Sequence, residues 1–184
     1  TKDYAYKAIS RISDMEECGA EVAFVNVDIT DLKQLQEVKE QVLEKYDCIN
    51  GIVHAHEVME EDKIFSLIQD MDKAQYDLHI KARVQGWNNL QEVFGEKDID
   101  FAVAISSLAS VLGGVGYSSY TSSNICMDSS MAESQDTPWI ILNRDAWNFE
   151  VNDEDNVSTN MNTTAVNRDE GMQVLKRLFT VDNI

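Results

Sequence analysis

Short apolar runs of strand-forming residues alternate with helical periods along almost the whole chain, and this alternation is what most narrows the possible folds. The strand-like runs are Glu21 to Val27 (EVAFVNV), Ile49 to His54, Phe101 to Ser106 (FAVAIS) and Trp139 to Asn143. Ile49 to His54 lacks the polar alternation of a half-exposed sheet, as expected for a short buried strand. Between them lie helical segments at Tyr4 to Cys18, Asp31 to Tyr46, about Ile64 to Phe94, Tyr117 to Glu133 and Arg168 to Phe179. Gly19 closes the first, and Thr30 is the expected N-cap of the second, whose Leu32, Leu35, Val38, Val42 and Leu43 share one face. Strands alternating with helices predict an α/β architecture with a doubly wound parallel sheet. At 184 residues the chain is sized for one domain, expected to span residues 1–184.

Open parallel sheets of this kind bind ligands beyond the carboxyl ends of their strands. Four polar clusters fall there: Asp28-Ile29-Thr30, Ala55-His56-Glu57, Ser106-Ser107 and Asn143-Arg144. Small polar residues end most strands, so one cluster alone carries little weight. A convergent pair carries more. Ser107 ends a strand, a Gly-rich turn (Gly113-Gly114-Val115-Gly116) follows, and Tyr120 stands thirteen residues on at the start of a helix, with Asn124 one turn later on its face. Such a Ser and Tyr can meet at one small oxygen, the Ser donating a hydrogen bond and the Tyr passing a proton. A phenol is a poor acid at neutral pH, so this chemistry needs a nearby cation or a ribose hydroxyl relay.

Charge and cysteine content narrow the partners. Fifteen Lys and Arg against 33 Asp and Glu leave a net charge of −18, which argues against nucleic acid and against an anionic membrane surface. Three scattered cysteines, Cys18, Cys48 and Cys126, offer neither a disulfide framework nor a metal-ligand spacing. No metal site is expected, because adjacent His56 and Glu57 cannot both face one site from a strand and no third ligand accompanies them. A reducing cytoplasmic setting fits, and no apolar run reaches membrane-spanning length. The segment Phe149 to Asn167, rich in Asn, Asp, Glu, Ser and Thr, reads as a mobile loop. Only Pro138 interrupts the chain, at the mouth of a strand where a missing donor is tolerated. The start at Thr1, without Met and inside a helical pattern, reads as a piece of a longer polypeptide.

The stretch from Phe101 to Asp128 resembles the catalytic segment of the ketoreductase domains of modular polyketide synthases and related nonribosomal (depsipeptide) synthetases, members of the short-chain dehydrogenase/reductase superfamily. It carries the family's pattern SS-x-A-x(3)-GG-x-G-x(3)-Y-x(3)-N. Further matches follow in order: Val27-Asp28-Ile29-Thr30-Asp31, Gly51-Ile-Val-His-Ala55, Gly86 with Asn89-Leu90, and Asp169-Glu-Gly-Met172 through Leu178. The resemblance implies a Rossmann-like domain, an NADPH cofactor and a ketoacyl thioester, β-keto or α-keto, on the phosphopantetheine arm of an acyl or peptidyl carrier protein. Neighbouring domains of a megasynthase are the other implied partners. It implies that Ser107 binds the substrate carbonyl, that Tyr120 delivers the proton and that Asn124 supports Tyr120. It further places Asp28 and the backbone of Ile29 at the adenine, Ala55 at the nicotinamide ribose, and the substrate lid at about residues 149–167.

Three departures from the family's pattern stand out. Its opening strand, glycine-rich turn, helix and strand have no counterpart here, so the sheet is expected to lack that first unit. Arg83 occupies the place of the family's catalytic Lys; it keeps the positive charge but practically never gives up a proton. Lys81, two residues away on a helix, points elsewhere. His54-Ala55-His56-Glu57 replaces a smaller sequence after the second strand, and neither Met59-Glu60-Glu61 nor Leu112 reproduces the family's markers of product handedness. An active ketoreductase, a catalytically inactive reductase-like scaffold domain and a stand-alone dehydrogenase are the three functional readings; Asn124 disfavours the last, since most stand-alone members carry their Lys there.

Overall fold

The computed structural model describes residues 2–56, 66–95, 99–133, 139–147 and 165–180. Three parallel strands form the sheet, β1 (Gly51–His54), β2 (Phe101–Ser107) and β3 (Trp139–Arg144), in the order β1-β2-β3. The register sets Gly51 beside Phe101, and Ser106 and Ser107 beside Asn143 and Arg144. All three strands therefore end on the same edge. Helices precede and connect them: α1 (Lys2–Glu17), α2 (Leu32–Tyr46), α3 (Lys73–Ile80), a π-helical turn (Lys81–Gln85), α4 (Gly86–Phe94), α5 (Ala109–Leu112), α6 (Ser118–Glu133) and α7 (Arg168–Leu178).

Two apolar clusters flank the sheet. Trp87, Ala102, Ala104, Met127 and Trp139 form one, where the indoles of Trp87 and Trp139 meet edge to face at 4.6 Å. Leu35, Leu90, Val93 and Phe94 form the other, between α2 and α4, with Ile29 and Ile52 packed against it. Gly86 permits that packing, because a Cβ there would lie 2.6 Å from the Ile29 side chain. Helix α6 is Ser-rich with almost no apolar stripe, and its hydroxyls turn inward: Ser122, Ser123 and Ser130 each donate to the carbonyl three residues back.

The doubly wound α/β expectation holds, with three corrections. Glu21 to Val27 is not a strand: residues 20–28 have no regular structure, and Phe24 is 81% exposed. Backbone N–H and C=O groups form a ladder only against a neighbouring strand, and among the described residues none lies alongside this run. The N-cap of α2 is Asp31, not Thr30; its carboxylate accepts from the Lys33 and Gln34 N–H groups, while Thr30 donates to Asp28. Of the expected helix from Ile64 to Phe94, residues 66–72 are not helical; a helix begins at Lys73, behind a capping box of Asp72 and Gln75, and is interrupted by the π turn. Pro138, Glu57, Met59-Glu60-Glu61 and most of the expected lid lie outside the described residues. At the end of that lid, Val166 bridges to Trp147. The three cysteines are free and exposed. Among the described residues no helix is long and apolar enough to cross a membrane, and no His, Cys, Asp and Glu cluster could hold a metal.

Candidate active site

A cleft of about 1060 Å³ opens at the carboxyl edge of the sheet, bordered by Ala55 after β1, Ser107 at the end of β2, Tyr120 on α6 and Arg144 at the end of β3. Leu112 to Val115 in the Gly-rich turn form its lip. Gly113 (φ +68°) and Gly116 (φ +81°) take the left-handed conformations that let the chain reverse there at little steric cost.

Ser107 is held by its own turn. Its Oγ accepts the Ala109 N–H at 3.1 Å, which leaves the hydroxyl proton to be donated elsewhere. Tyr120 is set by its surroundings: the guanidinium carbon of Arg83 lies 4.7 Å from its ring centroid, and the rings of His79 and Tyr117 meet it edge-on at 6.1 and 6.0 Å. Arg83 and Asn124 are both buried, and Arg83 Nη1 donates to Asn124 Oδ1 at 2.7 Å. Asn124 Nδ2 in turn donates to the Tyr120 carbonyl at 2.9 Å. The asparagine thus stands behind the tyrosine and couples it to the arginine. Arg83 reaches this place from the π turn, a helical irregularity often found at functional sites.

The expected cofactor residues are less closely grouped. Ala55 borders the cleft. Asp28 caps its own turn through Thr30, and these hydrogen bonds hold its carboxyl below the usual range. Ile29 gives its side chain to Gly86 and its carbonyl to Asn89 Nδ2 at 3.0 Å. Neither borders the cleft that holds Ser107 and Tyr120.

Sequence reasoning missed three groups. His79 is fully buried against Tyr120; its signal was a position four before Arg83 in a helical segment. His54, buried at the end of β1, has its pKa lowered to about 4 by burial, with His56 and Arg83 adding like-charge repulsion. Asp128 lies four residues beyond Asn124, at the same interval that separates Asn124 from Tyr120, and accepts from Asn143. Electrostatically the cleft departs from the chain as a whole: Arg11, Arg83 and Arg144 border it, and Asp145 is the one acidic residue among its described borders. In a chain with 33 acidic residues, that sign fits an anionic guest.

A parallel sheet delivering a serine, a tyrosine and a buried arginine–asparagine pair to one carboxyl-edge cleft defines a Rossmann-like domain of short-chain dehydrogenase/reductase fold. The chain belongs to the KR domain family, whose model matches residues 2–148. It is similar to the polyketide synthase-nonribosomal peptide synthetase hybrid himA of Aspergillus japonicus, 30% identical over 115 residues, which is 62% of this chain and 3% of that protein. The chain thus spans a small fraction of the length of the curated relative it matches. Among solved structures it is similar to PlmKR1, a ketoreductase from the first module of phoslactomycin biosynthesis in Streptomyces sp. HK803. The TM-score is 0.80 at 19% identity, over 96% of this chain and 41% of that one. An alcohol dehydrogenase of Thermococcus sibiricus, complexed with 5-hydroxy-NADP, shares the fold at TM-score 0.70 and 16% identity, over 95% of this chain and 77% of that one.

Proposed function

We propose that this domain reduces a ketoacyl thioester, β-keto or α-keto, to the hydroxyacyl thioester, with NADPH as reductant and a carrier protein presenting the substrate inside a multidomain synthase. The observation that carries this reading is the shared cleft of Ser107 and Tyr120, with Arg83 against the tyrosine ring. The cleft fits a dinucleotide by its arginine-rich border and by the small Ala55 at the end of β1. A structural neighbour carrying an NADP derivative supports the choice of cofactor. Ala55, Tyr120 and Arg144 would hold it, and when bound it supplies hydride to the carbonyl carbon.

The chain's own residues do the rest. Ser107, its oxygen engaged by Ala109, donates its hydroxyl proton to the substrate carbonyl, a bond that strengthens as negative charge develops on that oxygen. Tyr120 gives its phenolic proton to the forming alkoxide. The guanidinium of Arg83 faces the ring left anionic, and Asn124 keeps it there. Since arginine does not release its proton, Arg83 stabilises charge and does not relay it, and the tyrosine is reprotonated from the open cleft.

The test is the full-length protein with NADPH and a carrier-bound ketoacyl substrate, followed by the fall in NADPH absorbance. Turnover in the parent and a loss of about 10²–10⁴-fold in kcat for Tyr120→Phe are expected. A parent that binds carrier protein yet consumes no NADPH would make the domain a reductase-like scaffold, the outcome that the Arg83 replacement favours.

A further inference from the structure

Ser107 and Tyr120 come from different elements, the end of β2 and the start of α6, so a reaction at one oxygen requires something to fix one against the other. We propose that Asp128 is a positioning residue that locks the serine turn to the tyrosine helix through Asn143 and Ser110. The proposal rests on the reading of Ser107 and Tyr120 as the reacting pair.

Tyr120, Asn124 and Asp128 recur at four-residue intervals, so the helix that carries the phenol also carries the carboxylate along one face. Asp128 Oδ2 accepts from Asn143 Nδ2 at 2.8 Å, and Asn143 sits on β3 directly beside Ser106. The same amide nitrogen donates to Ser110 Oγ at 2.9 Å; its approaches to Ser106 Oγ (3.3 Å) and the Ser107 carbonyl (3.4 Å) are longer. Ser110 Oγ donates in turn to the Ser107 carbonyl at 2.8 Å. The Asp128 carboxylate, β3, the short helix after β2 and Ser107 therefore form one hydrogen-bonded chain.

Its polarity has a single consistent direction. An ionised carboxylate only accepts, so Asn143 must turn its NH₂ toward Asp128. An amide NH₂ has two protons, and the two short bonds use both. Ser110 then receives at its oxygen and has its own proton free for the Ser107 carbonyl. With the Ser107 peptide fixed, the Ala109 N–H meets Ser107 Oγ, and the hydroxyl proton is left to donate toward the cleft. The second oxygen, Asp128 Oδ1, is buried with no hydrogen-bond partner among the described residues. A packing role alone would be met as well by a neutral side chain; selecting one orientation of Asn143 is met by an acceptor that cannot donate.

The decisive variant is Asp128→Asn in the full-length protein, which keeps shape but can donate as well as accept and so no longer selects the Asn143 orientation. Expected are a drop in kcat of about tenfold, KM for NADPH unchanged, and faster amide hydrogen exchange in the peptide covering 107–112 with β3 unaltered. Ser110→Ala tests the same chain from its far end without touching the interior of α6. It is expected to reproduce both effects, and the double variant to be no worse than the more impaired single one, as for residues acting through one path. Unaltered exchange in 107–112 in both variants overturns the proposal, whether or not the parent turns over. So does unchanged kcat in a folded Asp128→Asn protein whose parent is active. If the parent is inactive, the reductase reading falls by itself, and faster exchange at 107–112 still upholds the tie from Asp128 to the serine turn.

Discussion

Val103 and Phe24 belong to segments that both read as strands, FAVAISS and EVAFVNV, yet Val103 is inaccessible to solvent and Phe24 is 81% exposed. The first segment, β2, hydrogen-bonds to strands on both sides and is covered by Trp87 and Met127. The second lacks a ladder partner among the described residues and is tied down mainly at its start, where Glu21 meets Lys45 and Tyr46. Strand propensity reports fitness for a pleated, packed surface and does not create one. The groups proposed to carry the chemistry sit on or against that packed flank: Ser107 ends β2, and Tyr120 and Asn124 lie on the helix laid over it.

The comparison would break most visibly through the core of the packed flank. Trp87 is wholly buried, stacks edge-on against Trp139, lies 5.8 Å from the His54 ring and donates to Ser130 Oγ at 2.6 Å. Trp87→Ala removes the centre of that cluster and the indole donor to Ser130 Oγ. A loss of about 3–5 kcal/mol in urea unfolding is expected. A loss below about 1 kcal/mol would mean that the flank beneath the cleft is not the firmly packed one.

A second, somewhat smaller effect sharpens the same contrast through pH. Burial pushes the pKa of His54 in the folded protein down to about 4 from its ordinary 6.5. The folded protein therefore resists a proton that the unfolded chain accepts. Its stabilising contribution is fully present above pH 6.5, declines as the pH falls toward 4, and changes no further below that. The lowered pKa corresponds to roughly 3 kcal/mol. Glu21 and Asp28, both exposed, and half-buried Asp31, all on the other flank, also have pKa values lowered by their hydrogen bonds, but their contributions fade only below the ordinary carboxylate range. Stability measured between pH 7 and 4.5 should thus slope downward in the parent and lose most of that slope in His54→Leu.

How far the sequence revealed the molecule follows from the same distinction. Much of the packed flank was legible because its elements carry their own signals: an apolar run in β2, and the Gly-rich turn where the chain needs positive φ. That Ser107 and Tyr120 border one cleft was legible from their spacing. What could not be read depended on neighbours. The π turn that delivers Arg83 has no sequence signature of its own, and the burial of His79 and His54 follows from which helix lies over which strand. Asp128 gave no signal of its own, because its partner, Asn143, is fifteen residues away on another element. The strand expected at 21–27 was a correct reading of local preference applied where the ladder is missing.

The smallest predicted effect is also the most direct comparison of the two flanks. Val103→Ala deletes two methyl groups from a fully buried position on β2, paired to a strand on each side, and is expected to cost about 2 kcal/mol. Phe24→Ser, a far larger change in side-chain chemistry, removes a ring that is mostly in water already. It should leave stability within about 0.5 kcal/mol. Urea unfolding of the two variants beside the parent makes the comparison. Equal losses would show that the 21–27 segment buries its apolar side chains in solution and forms the strand its composition favours. A loss confined to Val103→Ala would show that apolar residues of strand-forming segments contribute stability only where neighbouring strands and packing take them out of water.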